Sequence, residues 1–141
     1  MPLTMANLKS SDMTTIKFVV PTEPVPFPRP RFNSDTKGVY NSARYTDFKN
    51  AIGLIARRAM DGREPFTGEI KIHADFYRHK PRPKKGTKPQ VSFIGDGDNY
   101  LKAVMDALIG VCYVDDRQIV DFSGRKIFGE PHVEIELEAI T

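Results

Sequence analysis

The chain has 141 residues, about one domain's worth, and its 40% hydrophobic and 28% charged residues argue against collagenous, membrane-spanning and wholly disordered classes. A single cysteine, Cys112, excludes an intramolecular disulfide, and with only three histidines there is no Cys/His zinc cluster, so any metal must be held mainly by oxygen ligands. The net charge of +3 is unevenly spread: residues 1–95 carry 17 Lys+Arg against 8 Asp+Glu, which suits a polyanion, whereas residues 96–141 carry 4 against 10.

Residues 1–14 are polar, lack period and lack the apolar core of a secretory signal, so a flexible leader is expected. No run of about 18 apolar residues follows, and the chain is expected in the cytoplasm. Ile16–Val20 predicts a short strand. The proline-rich run from Pro21 to Arg31 cannot donate into a sheet and must turn or extend. From Tyr45 to Met60, Phe48, Ala51, Ile52, Ile55, Ala56 and Ala59 recur at helical spacing, with Lys49, Arg57 and Arg58 off that stripe. A helix with a basic outer side is expected there, ending near Gly62. Glu69–Tyr77 alternates, Ile70, Ile72, Ala74 and Phe76 against Lys71, His73, Asp75 and Tyr77, and predicts a strand.

Residues 78–90 hold six Lys+Arg and three prolines with no acidic residue. They predict a basic loop in which Lys80, Arg82, Lys84 and Lys85 track phosphates. Leu101, Val104, Met105, Leu108 and Ile109 predict a second helix closed by Gly110. Gln118–Phe128 and His132–Ile140 predict two strands around Gly129-Glu130-Pro131, with Glu134, Glu136 and Glu138 on a solvent face. The element order predicts a single α+β domain over 15–141, a mixed or antiparallel β-sheet with two main helices packed on it.

The chemistry concentrates in Asp96-Gly97-Asp98, where the second helix begins, and Asp115-Asp116, after it. Asn99 or Asp98 can cap that helix, whose positive end favours carboxylates. Capping explains one carboxylate and leaves the others. Four carboxylates brought together would repel unless a cation neutralised them, and an all-oxygen set suits Mg²⁺, with Mn²⁺ as its close substitute. An EF-hand loop starting at Asp96 fails, because Tyr100, Leu101 and Ala107 stand where it needs an oxygen ligand, a glycine and a glutamate. Lys102, four residues after Asp98 and four before Asp106, is either a surface ion-pair partner worth about 0.2–0.5 kcal/mol or a cation for a phosphate or a metal-ligating aspartate. His73, His79 and His132 are expected to be structural or exposed, and Cys112 a small buried hydrophobe.

Asp96-Gly-Asp98-Asn99-x-x-Lys102, Asp106-Ala107-Leu108 and Asp115-Asp116-x-Gln118 together resemble the core signature of RusA-type Holliday junction resolvases, small endodeoxyribonucleases common in prophages. Val20-Pro21 through Pro28-Arg29-Pro30-Arg31 is similar to that family's opening. The resemblance implies metal-binding catalytic aspartates at Asp96, Asp98 and Asp116, with Asp115 as a further ligand candidate and Lys102 in support. It also implies a homodimer that resolves four-way DNA junctions, in recombination and repair, by paired Mg²⁺-dependent nicks. Arg29, Arg31, Lys80, Arg82, Lys84 and Lys85 are then expected to neutralise the DNA backbone, with affinity falling steeply in salt. The competing expectation is a non-catalytic DNA-binding protein, with the aspartates as helix caps and the basic loop carrying the affinity.

Overall fold

The structure, a computed structural model, describes residues 14–28, 43–82, 85–86, 88, 92–93 and 96–140. The expected leader up to residue 13, together with Arg29, Arg31 and Lys84, lies outside the described residues. Within them the elements run β1 (Thr15–Val20), α1 (Ala43–Met60), β2 (Ile70–Arg78), α2 (Gly97–Ala107), a 3₁₀ turn (Asp116–Gln118), β3 (Ile119–Phe128) and β4 (His132–Ala139). The domain is α+β, with the two helices packed on one face of a four-stranded mixed sheet in the order β1-β4-β2-β3. No described helix is long and apolar enough to cross a membrane.

Period-two alternation decides which side of each strand is buried. Ile16, Phe18 and Val20 of β1, Ile70, Ile72, Ala74 and Phe76 of β2, and Val133, Ile135 and Leu137 of β4 all join the core. Against them α1 lays Tyr45, Phe48, Ile52, Ala56 and Met60, spaced at three and four residues. Truncating one such large side chain to alanine costs about 2–5 kcal/mol. The helix leaves through two left-handed residues, Asp61 (φ 51°) and Gly62 (φ 79°), as expected for its end at Gly62.

The second helix begins at Gly97, where the Asp96-Gly97-Asp98 run places its start, and buries Tyr100 and Ala103 besides Leu101 and Val104. Ile109, placed on that stripe by spacing, is instead 40% exposed, because the helix has already ended at Ala107. Arg78, counted with the basic loop, is the last residue of β2.

The last two strands do not form a hairpin. β3 pairs only with β2, in parallel, while β4 enters between β1 and β2, antiparallel to both. The link between them must cross the end of β2, and Gly129 allows it. Its N–H donates to the Arg78 carbonyl at 2.9 Å, and a Cβ there would lie 3.1 Å from the Tyr77 ring.

Candidate active site

At the amino-terminal end of α2, Asp96 is the N-cap residue, with extended backbone (φ −74°, ψ 135°) and no side-chain cap bond. The expected cap at Asn99 or Asp98 is thus corrected, since Gly97 is already helical. Asp98 accepts a hydrogen bond from the Asn99 N–H at 3.0 Å. Both carboxylates are exposed beside the positive end of the helix.

The proline-rich segment is tied to this end. The Phe27 N–H donates to the Asn99 carbonyl at 2.9 Å, and its ring meets Tyr45 edge-on at 5.6 Å. Lys102 Nζ lies 4.9 Å from the Phe27 ring centroid, a cation–π distance. Farther back, Arg78 donates through Nε (2.9 Å) and Nη2 (2.6 Å) to Glu23 Oε1, while its Nη1 reaches the Tyr100 hydroxyl at 3.3 Å. The hydrogen bond from Arg78 holds the Glu23 carboxyl below its usual range despite partial burial. Arg78 is therefore committed within the fold.

The other aspartate pair is fixed by different contacts. After α2 the chain turns through Gly110 (φ 83°) and buries Tyr113, whose hydroxyl donates to the Met105 carbonyl. Asp115 then caps the 3₁₀ turn. Its carboxylate accepts from the Arg117 N–H at 2.9 Å and from the Arg117 guanidinium at 3.0 and 3.2 Å. The Arg117 backbone bond, then its side-chain bond, holds the Asp115 carboxyl below the ordinary range. Gln118 completes a capping box: its Oε1 accepts from the N–H groups of Val114 (2.8 Å) and Asp115 (2.9 Å). Its Nε2 donates to the carbonyls of Phe66 (2.8 Å) and Gly68 (2.9 Å). Asp116 begins the turn, half-buried and close enough to Tyr113 to help raise its phenol pKa, which burial chiefly pushes up.

The two pairs thus stand at opposite ends of α2. Eleven residues of helix span about 16 Å at about 1.5 Å per residue, and β3 runs back from the Asp116 end. Leu101 Cδ1 would lie 4.0 Å from a Cβ on Gly124, so the amino-terminal part of α2 covers the second half of β3. Among the described residues no three His, Cys, Asp or Glu side chains gather as a metal-holding group. Asp96 and Asp98 form one acidic corner, Asp115 and Asp116 another. Lys80, Arg82 and Lys85 are exposed on the stretch after β2.

One polar cluster escapes sequence reading. Asp75, on the face opposite Ile70, Ile72, Ala74 and Phe76, is nonetheless only 8% exposed. Arg125 binds it through two nitrogens, each at 2.9 Å, and His73 Nε2 lies 2.8 Å from its Oδ1. His73 Nδ1 meets Ser123 Oγ at 2.6 Å. His73 is two residues away on β2, but Arg125 and Ser123 belong to β3, paired in parallel, so no local spacing announces them. The tie Gln118 makes to the stretch before β2 is equally invisible in sequence, because those acceptors are 50 and 52 residues away.

Comparison with known proteins adds two findings. A family model described as endodeoxyribonuclease RusA matches residues 21–138. The chain is also 32% identical over 142 residues to the protein YqaN of Bacillus subtilis (strain 168), covering 92% of this chain and 99% of that relative.

Proposed function

From the premise that this chain belongs to the endodeoxyribonuclease RusA family, we propose that it is a divalent-metal-dependent endonuclease that resolves four-way DNA junctions by paired phosphodiester hydrolysis. The observation that carries this reading is the pair of acidic corners framing α2, with the proline-rich segment and Lys102 beside one of them. Oxygen-only donors that are exposed or half-buried suit a hard cation such as Mg²⁺ or Mn²⁺. Among the described residues one subunit alone offers too few at either corner. The active site then needs two copies of the chain, Asp96 and Asp98 from one and Asp116 from the other, and a symmetric dimer contains two such sites, as paired nicking requires.

Asp116 is the better ligand of its pair, because the Asp115 carboxylate is already occupied by Arg117. When bound, the metal would neutralise charge on the phosphoryl oxygens and make a water more acidic. The chain's own residues do the rest. Lys102 offers a fixed cation to the developing charge at the phosphate, and Lys80, Arg82 and Lys85 attract the DNA backbone. Non-catalytic capping accounts for Asp115 but not for Asp96, whose side chain makes no cap bond.

The test is a cleavage assay on synthetic four-way, flap and linear DNA with and without Mg²⁺. Metal-dependent paired nicks in the four-way substrate, absent in Asp98→Asn with binding retained, are expected. Normal cleavage by Asp98→Asn contradicts the assignment.

A further inference from the structure

Lys126 stands where the alternation of β3 calls for an apolar side chain. It lies opposite Phe76 of the core and shares with Gly124 and Phe128 the face of β3 turned towards the helices. The residue is half-buried, and its Nζ lies 5.1 Å from the centre of the Phe93 ring. Phe93 is itself buried and meets Tyr100 of α2 edge-on at 5.4 Å. Three residues after Phe93 the chain reaches Asp96. The ring thus holds the ammonium against the stretch that leads into that acidic corner.

The strand register sets its level. β2 and β3 are parallel, so α2, which joins them, runs back against both. Leu101 packs over Gly124. Two residues farther along β3 cover about 6.6 Å, as much as about four residues of helix, which brings Lys126 level with Gly97, between Asp96 and Asp98. Lys102 approaches from the other flank, because its Phe27 ring meets Tyr45 of α1. Each lysine rests on an aromatic ring, one on either side of the aspartates.

We propose that Lys126 is a second phosphate-binding residue of the candidate active site, gripping the phosphodiester next to the one that Lys102 meets. The inference rests on the nuclease reading given above and adds a residue to it. A bare acidic corner repels a strand that carries one negative charge per linkage, and cations on both flanks let that strand cross it. A lysine that merely braced Phe93 could be replaced by methionine, whose flexible chain packs well on aromatic rings.

Four-way DNA carrying a single uncharged methylphosphonate linkage, moved one position at a time across the junction centre, tests the contact, with Ca²⁺ replacing Mg²⁺ during binding. Lys126→Met is expected to bind the unmodified junction about tenfold more weakly, while unfolding in urea at the wild-type midpoint. Lys126→Arg should restore most of the affinity. Neutralising one particular linkage should weaken wild type by a similar factor and leave Lys126→Met unaffected, and that linkage should adjoin the one cut once Mg²⁺ is supplied. Lys17→Met, on the opposite edge strand where Lys17 pairs with Glu136, should respond as wild type at every position. If Lys126→Met unfolds, Lys126→Gln takes its place in the same comparison. A neutral variant that binds as tightly as wild type, or that is weakened by the same linkages, overturns the contact, and so does a sensitive linkage remote from the cut. A chain that shows the linkage-specific loss but never cuts DNA strikes the proposed function alone.

Discussion

Lys102 sets its ammonium 4.9 Å from the centre of the Phe27 ring, so the cation on the aspartate-bearing end of α2 also holds the proline-rich segment against that end. Truncating it removes one exposed cation–π contact, worth about 0.5–1 kcal/mol, together with the positive charge proposed to meet the phosphate. Lys102→Met is expected to unfold in urea within about 1 kcal/mol of wild type while cleaving the four-way junction at least tenfold more slowly. Equal rates for the two proteins would remove Lys102 from the chemistry.

Gln118 braces the turn bearing Asp116 through two hydrogen bonds from Val114 and Asp115 and joins it to the stretch before β2 through two more, to Phe66 and Gly68. Gln118→Leu leaves those backbone groups without it and is expected to cost about 1–3 kcal/mol. Junction affinity should survive and cleavage should drop, because Asp116 loses its support. Denaturant unfolding and a cleavage assay on the same preparation check both halves.

Asp75 gives a pH signature. The Arg125 hydrogen bond, opposed by burial and assisted by His73, lowers its pKa from the ordinary 3.8. A carboxyl depressed on folding stabilises the protein fully above its unfolded pKa, and the contribution fades as pH falls through the folded value. Asp75→Asn is therefore expected to be less stable than wild type at pH 7 by about 1–3 kcal/mol, with the gap closing below about pH 4. Urea titrations at both pH values measure the gap, and one that widened in acid would contradict this sign.

The exposed cations after β2 are proposed to act on DNA through charge. Replacing Lys80, Arg82 and Lys85 with alanine is expected to weaken junction binding and lower the slope of log affinity against log salt by about 0.9 per lost phosphate contact. Cleavage of fully bound junction should hardly change. An unchanged salt slope would take these residues out of the interface.

The strands and helices that bury one face were legible because their apolar periods, two and near 3.6, survive in Ile70 to Phe76 and in Phe48 to Met60. Topology was not. Nothing in the three residues linking β3 to β4 signals that β4 passes over the end of β2 to lie beside β1. The candidate aspartates were legible as a spacing pattern, whereas their separation depends on α2 running its whole length between them. The burial of Asp75 was hidden for a similar reason: alternation gave its face, and Arg125 on the parallel neighbour β3, with His73, closes over it.

A mixing experiment tests the two-subunit active site most directly. Asp98→Asn and Asp116→Asn homodimers are each expected to be inactive. After the two are unfolded together and refolded, each mixed dimer contains one site with both native carboxylates and one with neither. Cleavage should return to about a quarter of the wild-type rate, as single rather than paired nicks, since about half the dimers are mixed and each has one working site. If mixing restores nothing although mixed dimers form, Asp98 and Asp116 do not meet across subunits and the account of the active site fails.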